Sequence, residues 1–581
     1  MNLLRNGLIG AILVVVFLLF IRWNEFQERQ VAENTPVAVT SEQVAETARP
    51  SLSLSDDPAI PSSNVLTETA EPGDDLPTAP ETVANSAKLL ETSRQTSEPS
   101  RQFISVKTDT LDILIDPKGG DITQVALPQH ASRLDDKNKP FLLLGNSGSH
   151  TYIAQSDLIG ANGTHTRDTN SRSQRVIFDS ASRHYQLSES AQGLKVDLTH
   201  KQANGTFITK RFIFERGSYR VKVNYLIDNR STDTWNAAMY GRIKRDDYKP
   251  KAGGMFQLQP FLGAATTTTE DTFKKYDFED IRDDSVKFDK EGGWVAMVQH
   301  YFVSAWVPDA NTENSFKLYR SSDKVHYMLQ FTTPQYSVAP GQMEVIQSSF
   351  YAGPKIIKNL ETIAPGLDLT IDFGVLWFVA KPLFIGLDVI HGFVGNWGFA
   401  IILLTFLIKL VFFYPSAISY RSMAKMRKLM PKMQDLKERF GDDRQRMGQE
   451  TMKLYKKEGV NPLGGCLPML MQMPVFMALY WMIMESVELR HSPFLFWVQD
   501  LSVKDPFFVL PVVMGGIMFV QQKLNPPPQD PMQQKIFQFM PIGFTFILAF
   551  LPAALTLYMA VNTALSFLQQ YLITKQIEKA D

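Results

Sequence analysis

The sequence predicts a polytopic α-helical membrane protein with a large β-sandwich domain outside the membrane. Two kinds of segment predict this class. Residues 7–21 and several runs after residue 396 are long and apolar, as membrane-spanning helices are. Between them, residues 101–352 contain short runs of alternating apolar and polar residues separated by Gly, Pro and Asn, a pattern typical of β-strands. The chain has 581 residues, too many for one compact domain.

Residues 1–26 form the first predicted membrane element. The run from Gly7 to Ile21 is uncharged and is flanked by Arg5 and Arg22. A cleavable signal sequence has the same pattern, but no small-x-small cleavage site follows Arg22. We therefore favour an uncleaved signal anchor. Because basic residues precede the apolar run, we expect the N-terminus in the cytoplasm.

Residues 27–100 are predicted to be a disordered, acidic linker. Residues 31–100 contain no Phe, Trp or Tyr, and they hold twelve acidic residues against three basic ones. Such a segment cannot bury enough apolar surface to offset its chain entropy. We interpret it as a flexible tether between the anchor and the next domain.

Residues 101–352 are predicted to form the β-sandwich. Apolar side chains alternate cleanly from Tyr219 to Ile227, Asn204-Gly205 is a hairpin signal, and a turn is expected over residues 116–120. Because this domain follows a signal anchor, it should lie outside the inner membrane. It is large enough to bury a sizeable core.

Residues 353–395 are predicted to connect this domain to the membrane core. Charged residues such as Asp372 and Lys381 interrupt its apolar side chains, and Pro382 breaks the middle. A helix that lies on the membrane surface fits this composition better than a spanning helix. The alternative is an ordinary helix that docks on the sandwich.

Residues 396–581 are predicted to hold five further spans. Their apolar runs are 396–415, 462–483, 507–520, 536–551 and 553–568. With the signal anchor this makes six spans, which places both termini in the cytoplasm. The 416–459 connection contains twelve Lys or Arg and six acidic residues, a bias typical of the cytoplasmic side. We expect it to form two helices in a hairpin, which either receives partners or is only a solvated charged surface.

Lys409 is the candidate functional residue of the core. A lysine at the centre of a membrane helix costs about 2.5–3.5 kcal/mol, so its presence needs a reason. Its side chain either extends to the cytoplasmic interface or faces a wet cavity inside the helix bundle. Thr405 lies four residues earlier on the same helix face, which favours a shared polar surface. Gln472, Asn562 and Thr563 are the other polar inclusions, and such residues also join helices without binding substrate.

The sequence lacks the motifs of several function classes. No phosphate-cradling loop, His-Glu-x-x-His motif or nucleophile elbow occurs, and Cys466 is the only cysteine. We therefore expect no enzymatic activity, no cofactor and no metal site.

Several motifs resemble the YidC/Oxa/Alb family in its Gram-negative bacterial form. The resemblance covers nearly all of the chain except the linker. The matching segments are Asn396-Trp397-Gly398, Asn461 to Pro468, Gln472-Met473-Pro474, Ser422 to Met426, Asp530 to Lys535, Tyr301-Phe302 and Tyr351 to Lys355.

The resemblance implies a periplasmic β-supersandwich and a five-helix insertase core with a hydrophilic groove. It also implies insertion and folding of nascent inner-membrane proteins, alone or with the Sec translocon. The family's groove carries a basic residue, usually Arg, at the position of Lys409. The candidate groove residues are Lys409, Thr405, Gln472, Tyr558 and Asn562.

The expected partners are nascent membrane proteins, the Sec translocon, membrane lipids and, transiently, the ribosome, with no other nucleic acid. The hairpin residues expected to meet partners are Arg421, Lys425, Arg427, Lys428 and Lys432. The C-terminus is too short for the basic ribosome-binding tail of some relatives. Two rival hypotheses are a transporter or channel built on the same spans and a sugar-binding or mutarotase-like enzyme built on the sandwich.

Overall fold

The computed structural model describes residues 103–147, 150–167, 173–249, 260–440, 443–460, 467–525 and 531–579. The chain divides into two units, Met1–Leu54 and Ser55–Asp581, and every described residue belongs to the second. The predicted signal anchor and linker, residues 1–100, lie outside the described residues. The same holds for residues 461–466.

The β-domain contains two sheets. Its strands are β1 Ile104–Lys107, β2 Asp112–Asp116, β3 Asp121–Ala131, β4 Pro140–Asn146, β5 Thr151–Ile159, β6 His165–Arg167, β7 Ser173–Arg175, β8 Asp179–Ser180, β9 His184–Gln186, β10 Gly193–Lys201, β11 Phe207–Glu215, β12 Arg220–Asp228, β13 Trp235–Asp246, β14 Gly263–Thr266, β15 Lys274–Tyr276, β16 Val286–Glu291, β17 Val295–Val298, β18 Phe302–Pro308, β19 Glu313–Arg320, β20 His326–Thr332, β21 Tyr336–Val338, β22 Met343–Ile346 and β23 Ser348–Pro354. One sheet has 13 strands, with the main order β16-β19-β20-β13-β5-β4-β3-β2-β1-β9. The other has ten, with the main order β15-β14-β17-β18-β23-β12-β11-β10-β8.

The alternating patterns form strands as predicted. Along β12 every second residue is buried, from Val221 to Ile227, because successive side chains point to opposite faces. The expected hairpin joins β10 to β11 in antiparallel register, and Gly205 has the positive φ of 97° that its turn requires. The last strand continues to Pro354, two residues beyond the predicted boundary of the domain.

A buried cluster of four charges, here called the sheet clasp, joins the two sheets. It consists of Asp121, Asp157, Arg175 and Lys210. The guanidinium of Arg175 donates to Asp121 at 2.5 Å and to Asp157 at 2.8 Å. Lys210 lies on β11 of the ten-stranded sheet. Its amine donates to the carbonyl of Ser156 on β5 and to that of Gly119 between β2 and β3, both at 2.9 Å.

The clasp sets two carboxylates against one guanidinium and one lysine amine. Burial lowers the pKa of Lys210 to about 7, and Asp121 and Asp157 oppose this shift. Burial raises the pKa of Asp121, but Arg175, Lys210 and Gln155 together outweigh it, so the net shift is downward. These charges stabilise one another inside the fold.

The remaining described elements are helical. The helices are α1 Phe278–Asp283, α2 Ile357–Glu361, α3 Trp377–Val394, α4 Trp397–Val411, α5 Phe413–Lys428, α6 Met430–Phe440, α7 Arg444–Lys457, α8 Leu467–Glu485, α9 Val509–Gln522, α10 Pro531–Leu548 and α11 Ala553–Lys579, with short 3-10 turns at Leu367–Thr370 and Val487–Leu489. Helix α11 packs against α4, α5 and α9, and α8 packs mainly on α3. The polar residues of α11 therefore lie at the centre of the helical part.

The Asn396-Trp397-Gly398 motif explains how α4 begins. The side chain of Asn396 accepts from the Phe399 amide at 3.1 Å, which caps the helix. A Cβ on Gly398 would lie 2.0 Å from the ring of Phe494, so glycine permits this close packing. Trp397 stacks on His391 with ring centroids 3.9 Å apart. The motif thus holds the N-terminal end of α4 against α3 and the loop that contains Phe494.

The predicted two-helix hairpin is instead built from three helices. Helix α4 ends near Phe412, and α5 leaves it at an angle of 68°. Pro415 lies in the first turn of α5, where its missing N–H costs no helical bond. A second break at Leu429 separates α5 from α6, and Pro431 again lies in the following first turn. The prolines therefore divide the segment more finely than its methionine pattern predicted.

The number of spans stays a prediction. Among the described helices, Trp377–Val394 is long and apolar enough to cross a membrane, and the bent pair α4–α5 adds a second if it forms one span. Helix α9 and the part of α8 from Leu470 to Glu485 are apolar but shorter. Trp377–Val394 is the helix expected to lie on the membrane surface. It exposes several large apolar side chains, with Trp377 60% and Phe393 87% exposed.

Candidate functional site

Lys409 contacts polar groups from two other helices. Its ammonium donates to the Ser566 hydroxyl of α11 at 2.6 Å and lies 3.4 Å from the Gln472 side-chain oxygen of α8. The lysine is half-buried and lies in the last turn of α4. Three helices therefore meet at one positive charge.

Gln472 connects this charge to the other predicted residues. Its amide nitrogen donates to the Tyr558 hydroxyl at 3.2 Å and also to the side-chain oxygen of Asn562. Tyr558 and Asn562 are both buried on α11. The structure thus brings four of the five candidate groove residues together. We call Lys409, Gln472, Tyr558, Asn562 and Ser566 the Lys409 cluster.

The structure gives Thr405 a different partner. Its hydroxyl donates to the carbonyl of Ile401 in its own helix at 2.6 Å, and the side chain is 1% exposed. A threonine inside a helix commonly forms this bond to the fourth residue before it. The shared helix face with Lys409 therefore does not bring Thr405 into the hydrogen-bonded cluster.

Ser566 was not among the sequence candidates, although a signal for it exists. Tyr558, Asn562 and Ser566 are spaced by four residues, which places them along one side of a helix. The same spacing continues to Gln570 and Thr574, and all five residues are buried. Reading the spacing of polar residues along the whole of α11, rather than each inclusion singly, would have found Ser566.

The polar line on α11 continues into a second group of amides. Gln570 accepts from Gln521 at 3.0 Å and donates to Asn525 at 2.7 Å. Gln521 lies on α9 and Asn525 just beyond it. The first part of this line, from Tyr558 to Ser566, therefore faces α4 and α8, and Gln570 faces α9.

The charge of Lys409 has only neutral partners. Among the described residues, no carboxylate lies within ion-pairing distance of its ammonium, whose bonds go to a hydroxyl and an amide oxygen. Hydroxyl and amide oxygens orient an ammonium without cancelling its charge. This arrangement is chemically suited to attract an anionic group.

The five basic hairpin candidates are all exposed. Three of them have polar contacts in the described chain. Lys428 donates to the Ile577 carbonyl at 3.1 Å, Arg427 lies 3.8 Å from Glu578, and Lys432 lies 2.8 Å from Glu458. The first two contacts attach α5 to the end of α11. Arg421 and Lys425 lie on the same helix, exposed to solvent.

Comparisons with known proteins cover the whole chain. A family model described as the YidC periplasmic domain matches residues 103–385, and one described as the 60Kd inner membrane protein matches residues 389–580. A membrane protein insertase YidC from Saccharophagus degradans is 52% identical over 583 residues, covering 100% of both chains. The corresponding protein of Cellvibrio japonicus is 50% identical and covers 99% of both.

A solved structure of an active YidC insertase with its first transmembrane domain resolved is 17% identical, with a TM-score of 0.37. The match covers 82% of this chain and 93% of that one. The sequence identity to the full-length relatives is decisive. This chain belongs to the YidC family of membrane protein insertases.

Proposed function

We propose that this chain inserts nascent proteins into the inner membrane and that Lys409 receives the acidic part of a client's translocated segment. Family membership supports the activity, since full-length relatives up to 52% identical are named membrane protein insertases. The charge of Lys409, surrounded by neutral hydrogen-bond partners, is the single observation that supports its role.

The Lys409 cluster offers a physical route for an acidic segment. A carboxylate that enters the bilayer alone pays a large desolvation cost. Near Lys409 it gains a Coulombic partner, and Gln472 and Ser566 supply further polar contacts. The apolar part of the client then transfers to lipid by the hydrophobic effect. A membrane potential adds about 2.3 kcal/mol per translocated charge per 100 mV.

The expected partners follow from the same proposal. The β-domain is the periplasmic domain of the family, and the helical part is its inner-membrane part. We propose that nascent clients, and transiently the ribosome, approach from the basic hairpin. Arg421 and Lys425 are exposed there. The Sec translocon and the surrounding lipids complete the set of partners, and both termini lie in the cytoplasm.

The test replaces the charge of Lys409 and compares two clients. Cells depleted of the native protein would express Lys409→Arg, Lys409→Leu or Lys409→Glu. Protease protection of pulse-labelled clients would measure insertion of one client with an acidic translocated segment and one with a neutral segment. We expect Arg to retain activity, Leu to impair the acidic client and Glu to impair it most, because the attraction is Coulombic.

Lys523→Leu is the matched control, since Lys523 is an exposed lysine at the end of α9 outside the cluster. It should insert both clients normally. Equal insertion of both clients by the Lys409→Glu protein, at matched protein levels, would show that the charge has no role.

A further inference from the structure

A second set of contacts holds the outer end of α8, the helix that carries Gln472. Lys355, which directly follows β23, forms an ion pair of 2.6 Å with Glu485, the last residue of α8. Both side chains are almost completely buried, with 2% and 7% of their surface exposed. The ammonium of Lys355 also donates to the Thr370 carbonyl at 3.3 Å.

Neighbouring residues extend this grip. His300, which precedes β18, donates to the carbonyl of Met484 at 2.7 Å. Just past α8, Arg490 donates to the carbonyl of Ala131 on β3 at 2.8 Å. We call the contacts made by Lys355, Glu485, His300 and Arg490 the outer clamp. Through it, three separate parts of the β-domain contact one end of one helix.

The position of α8 matters for the Lys409 cluster. Gln472 lies thirteen residues before Glu485, or about 20 Å along the helix. Its oxygen lies 3.4 Å from the Lys409 ammonium, at the outer limit of a hydrogen bond. An axial shift of α8 by one residue, about 1.5 Å, would break that contact. Tyr558 and Asn562 hold the Gln472 side chain against α11, and contacts at the outer end of α8 fix the helix along its axis.

A buried ion pair contributes little net free energy to folding. The desolvation of both charges offsets most of their attraction, and apolar pairs of similar volume are often as stable. What a buried pair supplies is a geometric requirement, since either charge left unpaired is costly. Lys355 and Glu485 thus meet in one arrangement of the β-domain and α8 and are strongly penalised in others.

We propose that the outer clamp makes the β-domain a positioning element for insertion, with Lys355 and Glu485 as the positioning residues that fix α8 and so keep Gln472 beside Lys409. This inference rests on the proposed role of Lys409. It assigns the outer domain a mechanical part in the reaction, with no contact to the client at the clamp.

The key variant combines Lys355→Met with Glu485→Leu, which removes the charges and keeps the volume. A charge swap, Lys355→Glu with Glu485→Lys, retains the pair. Lys358→Met is the control, since the Lys358 side chain is 81% exposed and pairs with Asp388 at 2.8 Å in the described part of the chain. All are made in the full chain.

The first readout is the position of α8. Spin labels at the exposed positions Met343 and Leu470, in a chain whose only cysteine is changed by Cys466→Ser, report the distance between β-domain and α8 by electron paramagnetic resonance. We expect a narrow distance distribution in the parent, the swap and the control, and a broadened one in the apolar pair. An unchanged distribution in the apolar pair would overturn the clamp.

The second readout is insertion. The apolar pair should unfold at the parental temperature, yet insert the acidic client about tenfold more slowly, the factor that corresponds to losing one hydrogen bond of about 1.4 kcal/mol. Adding Lys409→Leu should cause little further loss, because both changes act on one cluster. Parental insertion by the apolar pair, or losses that simply add, would overturn the proposal. Full insertion of the acidic client by Lys409→Leu alone would instead contradict the proposed role of Lys409, and the clamp would then be judged on the distance and on the loss of insertion at unchanged stability.

Discussion

Two regions of the protein bury positive charge, one beside carboxylates and the other beside neutral groups. In the sheet clasp, Arg175 and Lys210 lie among two carboxylates of the same domain. In the helical part, Lys409 is bonded to a hydroxyl and an amide oxygen, both neutral. A buried charge whose partner is built in belongs to the structure. A half-buried charge without one remains available to an incoming group.

The energetic cost sharpens this contrast. A lysine inside a membrane helix is unfavourable by about 2.5–3.5 kcal/mol, so the chain gains nothing in stability by keeping it there. The clasp, in contrast, should lose stability when Asp121, Asp157 or Arg175 is removed, because the remaining charges are then left unpaired. Substitutions should therefore affect folding in one region and insertion in the other.

The largest expected effect is loss of stability from Asp157→Asn. Asp157 is fully buried and accepts from Arg175, from the Leu158 amide and from Thr164. Without its charge, two buried cations face one carboxylate. We expect the free energy of unfolding of the β-domain to fall by about 3–5 kcal/mol, as when one partner of a buried pair is removed. Chemical unfolding followed by fluorescence of the buried Trp235, Trp294 and Trp306 would measure it.

Asp197→Asn is the control for that measurement. Asp197 pairs with Arg211 at 2.7 Å, but both side chains are about a third exposed. Exposed pairs contribute about 0–1 kcal/mol. Equal losses for the two aspartates would contradict the distinction between the clasp and the surface.

A smaller effect is a pH dependence from Lys210. Burial lowers its pKa to about 7 in the folded protein, against an ordinary value near 10.5. Between these values the unfolded chain binds more protons than the folded one, so stability rises with pH. From pH 7 to pH 9 we expect the β-domain to gain roughly 2 kcal/mol from this group. Unfolding at both pH values should show this gain in the parent and not in Lys210→Met.

Removing the lysine of the helical part should not lower stability, in contrast to Asp157→Asn in the clasp. Lys409→Met removes a charge that no carboxylate offsets, so the thermal stability of the full chain should stay equal or rise by up to about 1 kcal/mol. Insertion of an acidic client should nevertheless fall. A scanning measurement of unfolding in detergent, paired with the insertion assay, tests this. A clear loss of stability in Lys409→Met would make this lysine structural, like the carboxylates and Arg175 of the clasp.

The smallest effect is expected at Thr405. Its hydroxyl bonds only to the Ile401 carbonyl within α4 in the described chain, so Thr405→Val should change stability by less than about 0.5 kcal/mol and leave insertion unchanged. Ser566→Ala is the matched comparison, since it removes a partner of Lys409. Insertion of the acidic client should fall for Ser566→Ala alone. A loss for Thr405→Val of the same size would place Thr405 in the functional cluster.

Patterns of neighbouring residues predicted much of the fold. Alternation from Tyr219 to Ile227 located β12, Asn204-Gly205 located a hairpin, and the run after Asn396 located α4. Each of these depends on residues close in the chain, where period and turn chemistry act directly. The break at Leu429 was not predicted, although Pro431 lies two residues beyond it, because the methionine spacing alone favours one continuous helix.

Long-range contacts were not predictable in the same way. Asp121, Asp157, Arg175 and Lys210 lie on strands far apart in sequence, and each alone resembles an ordinary charge on a strand. The same is true of Lys355 and Glu485, which are 130 residues apart. For Lys409, the sequence showed an unusual charge inside an apolar helix, but helix spacing alone could not assign its partners. Its contact with Ser566 became visible when α4 and α11 were seen together, although the spacing of polar residues along α11 already marks Ser566 in the sequence.

The line of polar residues on α11 also constrains how this chain can evolve. Five residues from Tyr558 to Thr574 recur every fourth position, and each step advances 40° beyond a full turn. Over about 24 Å the line therefore winds roughly 160° around the helix. That winding explains how one helix contacts Lys409 and Gln472 in its first half and Gln521 farther along. One inserted or deleted residue between Asn562 and Gln570 would rotate the two halves by 100° relative to each other. We expect lineages to change the length of this helix beyond Thr574 and to conserve it within the wound segment.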